Sequence, residues 1–314
     1  MTPGWLAKLR CPKTVPTQHV PTVAEPVKIG AMGITGGGRG SNQYGPHGLP
    51  NPQQQTQKRE PRKPQPDEVP VATSTNMNDL ANFLDQHPDL ESVLESAARL
   101  QQLVPDAVLV GGTAAAVYAH HRDSYDHDHT LDDLRGNFDL IDDALDREPD
   151  WVLNRQIPGK IILGSLGGIE TGLRQLIRAR PLEVCTVTLP SGAKLTVPTL
   201  AETERVKAYL IVKRNQVRDY LDVAAMADMN GIDQCGDTLA KIDDYYRDET
   251  RPEGDVAVAT QLARQLASPQ PKDSRTIGVL PKYKGLAKRW HDWDTTVTVC
   301  RELSSEIVNR LGGA

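Results

Sequence analysis

The chain has only two phenylalanines among its 314 residues, and aromatic side chains make up 4% of it. Its core must therefore be built from aliphatic residues and alanine. No apolar run approaches the ~20 residues needed to cross a bilayer as a helix, so the sequence predicts a protein that does not span a membrane. The four cysteines, Cys11, Cys185, Cys235 and Cys300, stand apart without CxxC spacing, which argues against a zinc knuckle or a disulfide framework and for a reducing cytoplasm. Lys8 and Arg10 are followed by Pro12 and Pro16 rather than by the apolar core of a secretion signal. Basic charge is scarce where a nucleic-acid binder would need it. Residues 1–75 hold nine Lys and Arg against four Asp and Glu, leaving 27 against 37 for residues 76–314. A body this acidic must meet any polyanion through a local basic patch or a metal ion rather than through its overall field.

Three regions follow from composition and periodicity. Residues 1–75 are rich in Pro, Gly, Gln and Thr, have almost no apolar periodicity, and are expected to be disordered, because such a segment cannot bury enough surface to offset its chain entropy. Residues 76–199 read as a small mixed sheet with helices. Leu80, Phe83, Leu84, Leu90, Val93, Leu94, Ala97 and Leu100 recur at helical spacing, and Ala107 to Val110 is a short buried strand. Gly111-Gly112 breaks that strand before a helix from Thr113. Further strands are expected over Ser124 to His129 and Lys160 to Leu163, with helices over Leu131 to Leu145 and Glu170 to Arg178. Ser191-Gly192 joins the strands of a hairpin running from Leu182 to Leu189 and from Lys194 to Val197. Residues 200–314 read as nearly all helix. The predicted class is α+β, with a helical C-terminal region.

The chemistry gathers in two places. A glycine pair at a strand-to-helix turn, Gly111-Gly112, lets backbone approach a ligand, and the following helix N-terminus offers N–H groups to a phosphate, with Thr113 adding a hydroxyl. A tight turn with a helix cap explains the same residues. Thirteen residues after Thr113 comes Asp126-His127-Asp128. On a strand the two aspartates share a face, where paired carboxylates repel unless a cation lies between them, and Mg²⁺ favours such oxygen ligands together with substrate phosphates. A solvated acidic loop is the plainer alternative. His120, His121, His127 and His129 raise a transition-metal site, although His127 and His129 fall on the face opposite the aspartates, which favours packed or surface histidines.

The second place is the helix from Glu202 through Lys207 to Arg214. Val206, Leu210 and Ile211 on this helix are expected in the core, leaving the Lys207 ammonium to reach a cleft. Asn215 reads as a break, and Arg218-Asp219 opens a further helix with Asp219 near its positive end. Asp219 and Asp222 suit capping and ion pairing as well as catalysis. Near the C-terminus, Lys282, Lys284, Lys288 and Arg289 adjoin Trp290 and Trp293. That combination can meet an RNA backbone and stack on bases, and equally describes an amphipathic segment packed on the core.

Taken together, Gly111-Gly112-Thr113-Ala114, Arg122 through Asp128, Lys207-Ala208-Tyr209 and Arg218-Asp219-Tyr220-Leu221-Asp222 resemble the AbiEii/AbiGii/MenT family of nucleotidyltransferase toxins over about residues 78–310. The resemblance implies a DNA polymerase β-like core. It also implies Mg²⁺, with Mn²⁺ as an alternative, and transfer of a nucleoside monophosphate from an NTP to a hydroxyl. The tRNA 3′ end is the favoured acceptor, a protein or a small molecule such as an antibiotic the alternatives, and a cognate antitoxin the implied protein partner. Gly112 and Thr113 then match the phosphate turn, with Gly111 beside them, and Asp126 and Asp128 the metal pair. Lys207 matches the lysine of Lys-x-Tyr, and Asp219 and Asp222 match Asp-x-x-Asp. Glu183, in an alternating strand-like run, is the expected third carboxylate. Histidines at 127 and 129 depart from the family's apolar residues, and are expected to make the metal edge wetter. A non-catalytic binding module that kept the fold is the competing expectation.

Overall fold

The computed structural model describes residues 80–178, 180–247 and 257–313. These fall in the unit Pro64–Ala314, one of two into which the chain divides. The expected disordered segment, 1–75, lies outside the described residues.

After a helical turn at 80–84, helix α1 (Pro88–Leu103) starts with proline in its first turn, where a missing N–H costs nothing. Its Leu90, Val93, Leu94, Ala97 and Leu100 are buried as their spacing predicts. Strand β1 (Val108–Val110) leads directly into α2 (Gly111–Ala119), and β2 (Asp126–Leu131) returns antiparallel to β1. Helix α3 (Phe138–Asp146) follows, then β3 (Trp151–Ile157), β4 (Ile161–Leu166) and β5 (Ile169–Gln175). These strands form one mixed sheet in the order β1-β2-β5-β4-β3. Only β2 and β5 run parallel, and they pair Asp126 with Glu170 and Asp128 with Gly172. The hairpin β6 (Val184–Thr188) and β7 (Lys194–Pro198) is a separate two-stranded sheet.

The α+β class is as expected, and three local expectations are overturned. In the segment Glu170 to Arg178 there is no helix: residues up to Gln175 belong to strand β5 (Ile169–Gln175), and 176–178 lie outside any element. Leu173 is buried, but Ile177 is 93% exposed, so the supposed apolar face does not exist. The segment Leu131 to Leu145 divides, with Leu131 ending β2 and the helix beginning only at Phe138. Residues 151–157, given no element from sequence, form the edge strand β3. Their central positions are exposed on both faces, so no alternation marks them.

Among the described residues from 200 onward the α-helices are α4 (Leu200–Arg214), α5 (Val217–Asn230), α6 (Ile232–Ala240), α7 (Val258–Ala267) and α8 (Trp293–Gly312). Thr199 caps α4, its hydroxyl accepting the Glu202 N–H at 3.2 Å, an arrangement worth about 1 kcal/mol. Asn215 breaks α4 from α5 in the left-handed conformation, φ 54°, its side-chain oxygen accepting the Tyr220 hydroxyl at 2.6 Å. Ala208, Ile211, Tyr220, Val223, Leu262 and Leu303 belong to the buried core of this helical region. A second core joins α1, α2 and the hairpin, and a third lies between α3 and the sheet.

Candidate active site

Strand alternation sets the site's first feature. Asp126 and Asp128 point to one face of β2, while His127 and His129 are buried on the other. The Asp126 side chain is 45% exposed and its Oδ1 lies 3.7 Å from Lys284 Nζ, and Asp128 Oδ1 lies 3.5 Å from Arg174 Nε. Both separations are long for ion pairs, so each carboxylate retains accepting capacity. Glu170 on the neighbouring strand is in register with Asp126. Residues side by side in a parallel pair project to the same face, which puts a third carboxylate beside the first. From sequence Glu170 competes with Glu183 for this role but falls on an expected helix, where β5 stands instead.

The histidines do not wet this edge. His127 Nε2 lies 3.0 Å from Ser96 Oγ of α1 and 3.1 Å from Thr171 Oγ1 of β5, placing the imidazole behind the sheet. Burial pulls its pKa down to about 4, and burial together with His127 holds His129 well below the ordinary imidazole value. They act as neutral core side chains. Among the described residues no three His, Cys, Asp or Glu side chains converge to hold a metal ion. A Cβ at Gly172 would fall 2.4 Å from Asp128 Oδ1, so glycine there lets the carboxylate lie flat across β5.

The glycine turn lies against the same edge. Val110 is paired with Asp128, Gly111 takes φ 80°, and α2 begins without a side-chain cap, which leaves its first N–H groups to the turn. Thr113 differs from expectation. Its hydroxyl donates to the Asp126 carbonyl at 2.6 Å and the residue is 1% exposed, so it ties α2 to β2 and has no proton left to offer a phosphate.

Beneath the turn is a buried cluster of charge. Asp222 Oδ1 lies 2.8 Å from both His121 Nε2 and Arg122 Nε, and its Oδ2 lies 2.7 Å from Lys207 Nζ and 3.1 Å from Arg122 Nη2. All four residues are 3% exposed or less. Burial alone would raise the Asp222 carboxyl, but Arg122, Lys207 and His121 hold it well below the usual carboxylate range. Burial also lowers His121, which stays neutral against the two cations. Gly112 is required here, since a Cβ would meet the Arg122 guanidinium at 2.4 Å. Asp219 is fully buried and receives a two-pronged contact from Arg214, Nε to Oδ2 at 2.8 Å and Nη2 to Oδ1 at 2.6 Å. Arg122, Lys207 and Arg214 thus face two carboxylates, Asp222 and Asp219, while burial, against the pull of Asp222, lowers the pKa of Lys207.

Lys207 is therefore enclosed rather than open to a cleft. The Glu183 carboxylate is taken up by Arg205 and by the Tyr245 hydroxyl, which donates at 2.8 Å, and these partners hold its pKa down against burial. The C-terminal tryptophans do not offer stacking faces. Trp290 is 4% exposed, and Trp293 packs against the same core, edge-on to Tyr220. Arg289 is paired with Asp228 at 2.5 Å. Of that basic group only Lys284 reaches the aspartates.

No family model matches the chain. Over 225 residues it is 31% identical to the heme uptake protein MmpL11 of Mycobacterium tuberculosis, an alignment covering 62% of this chain and 21% of that protein. It is likewise 31% identical over 202 residues to the mycolic acid-containing lipids exporter MmpL11 of Mycolicibacterium smegmatis, covering 60% and 19%. The chain thus spans about a fifth of the length of the curated relatives it matches. Among solved structures, it is similar to a nucleotidyltransferase from H. pylori, with 14% identity over 73% of this chain and 97% of that one at a TM-score of 0.45. It is also similar to MenT4, a nucleotidyltransferase toxin from Mycobacterium tuberculosis, with 14% identity over 74% and 85% at a TM-score of 0.42.

Proposed function

We propose that the chain is a metal-dependent nucleotidyltransferase, moving a nucleoside monophosphate from an NTP to an acceptor hydroxyl with release of pyrophosphate. The observation that carries this reading is one sheet edge bearing two half-exposed, loosely paired aspartates, beside an uncapped helix start with the Arg122 and Arg214 guanidiniums, paired to Asp222 and Asp219, beneath it. A divalent cation, Mg²⁺ or Mn²⁺, bound by Asp126 and Asp128 would supply neutralisation of the triphosphate and acidification of the acceptor hydroxyl. The turn at Gly111 and Gly112 would receive phosphate oxygens on backbone N–H groups. Arg122 and Arg214 would supply positive potential without leaving their carboxylate partners. The acceptor oxygen bonds to the α-phosphorus, the bond from that phosphorus to the bridging oxygen of the departing pyrophosphate breaks, and Glu170 takes the acceptor proton. Positioning and charge stabilisation carry most of such a reaction.

In this proposal Lys207, Asp219 and Asp222 act from underneath, fixing Arg122 and Arg214, and Glu183 has no direct part. The acceptor is the 3′ end of tRNA, in keeping with the motif resemblance, which also extends the proposal to a toxin held in check by an antitoxin in the cytoplasm. No helix among the described residues is long and apolar enough to cross a membrane.

A second reading is favoured by the 31% identity to a transport protein of which the chain spans a fifth. It would be a nucleotide-binding module that performs no transfer and serves a membrane transporter. Incubation with each α-labelled NTP, Mg²⁺ and total RNA separates the two. Label in RNA that disappears in Asp126→Asn supports the first reading. Label in protein or small molecules reassigns the acceptor, and nucleotide binding without label transfer favours the module.

A further inference from the structure

The loop 283–287, which carries Lys284 of the C-terminal basic group, is strapped to the approach to Asp126. The Asp123 N–H donates to the Lys284 carbonyl and the Ala287 N–H to the His121 carbonyl, each at 2.8 Å. Lys284 and Gly285 are consecutive residues in the left-handed region, φ 39° and 57°. Gly285 presses so closely on Asp123 that a Cβ there would fall 2.1 Å from its carboxylate. A lysine in left-handed backbone is unusual. Here it directs a side chain from the helical region onto the sheet edge. Its Nζ stands 3.7 Å from Asp126 Oδ1 and 5.6 Å from the centre of the Tyr125 ring, and the Tyr125 side chain is itself 46% exposed.

Resting on the nucleotidyltransferase reading, we propose that Lys284 is a triphosphate-binding residue, parked between Asp126 and Tyr125 until nucleotide arrives. The backbone of Lys284 is fixed, but its four-carbon stem is free to turn and one-third of the side chain is exposed. A divalent ion held by Asp126 would displace the ammonium from that carboxylate, and a polyphosphate is the ligand chemistry that would offer it a new anionic partner. The residue thereby exchanges one negative partner for another, and selects nucleotides that carry the polyphosphate.

The test measures affinity rather than turnover. The full-length protein, Lys284→Gln and Lys284→Arg are titrated by calorimetry with α,β-methylene NTP analogues and with the corresponding NMPs, in Mg²⁺. Thermal denaturation checks that each variant is folded. Loss of one charge-assisted contact predicts about tenfold weaker triphosphate binding by Lys284→Gln, with NMP binding unchanged and most of the loss restored in Lys284→Arg. Equal triphosphate affinity in wild type and Lys284→Gln overturns the inference while leaving the nucleotidyltransferase reading intact. So does a parallel loss of NTP and NMP binding, which would make the lysine a support of the loop. Wild-type protein that binds no NTP overturns both.

Discussion

Asp126 and Asp222 each meet a lysine, and the two encounters differ in every physical respect. At the sheet edge Lys284 stands 3.7 Å away, with both side chains open to solvent. Beneath the glycine turn Lys207 stands 2.7 Å from a carboxylate with no exposure, whose oxygens are also met by Arg122 and His121. The first charge is left incompletely matched and is able to take a ligand. The second is saturated, and its work is to keep two cations in place under the site. A carboxylate's motif membership therefore says less about its task than the number of its donors and its access to water.

That contrast breaks most sharply at Asp222. Asp222→Ala leaves Arg122 and Lys207 buried without their acceptor, and removing one partner of such a cluster costs about 3–5 kcal/mol. This is a large part of the ~5–15 kcal/mol that holds a typical domain together. The urea midpoint should fall accordingly, and Lys207→Met, which leaves Arg122 and His121 on Asp222, should fall less. If Asp222→Ala is as stable as wild type but no longer binds NTP, the cluster is itself a ligand site and the comparison fails.

A smaller effect is expected from pH. His127 and His129 are neutral in the folded protein, with pKa values held below the unfolded value by burial. The unfolded chain therefore takes up their protons first. Stability is lost as pH falls below about 6.5, by about 1.4 kcal/mol at pH 5.5 from His127, with His129 acting in the same direction. Urea midpoints at pH 7.5 and 5.5 should show the decline, and His127→Gln should make it shallower. A slope unchanged in that variant would place the sensitivity elsewhere.

The smallest stability change belongs to the open edge. Asp126→Asn and Asp128→Asn should each stay within about 0.5 kcal/mol of wild type while abolishing nucleotide transfer. A drop in melting temperature comparable to that of Asp222→Ala would show that these aspartates are structural after all.

Much of this edge was legible in the sequence because period-two alternation assigns Asp126 and Asp128 to one face and the histidines to the other without further information. The hairpin was legible for the same reason, with Ser191-Gly192 marking its turn. Glu170 was hidden by a local ambiguity. Leu173, Leu176 and Ile177 fit helical spacing, and only pairing with β2 settles the segment as a strand. The buried cluster was hidden by distance along the chain, since Asp222 lies about 100 residues from His121 and Arg122. An ion pair of Lys207 with Asp222 was open to expectation as an alternative to a phosphate-binding lysine, but nothing in the sequence brings His121 and Arg122 to the same acid, and Trp290 beside basic residues reads equally as a stacking face or as core.

The strap at Lys284 has a consequence for how the protein comes into being. Its hydrogen bonds join positions roughly 160 residues apart, a gap that a ribosome takes on the order of 10–30 s to traverse. Through that interval the strand bearing Asp126 has been made, Asp222 follows about 100 residues after Arg122, and the loop that completes the approach does not yet exist. Contacts of such long range form late, and only after most of the chain is in place. A polypeptide released before residue 287 would carry both aspartates and still lack the finished edge. A chain stopped short of residue 287 has Asp126 without the Lys284 and Ala287 contacts that close its approach.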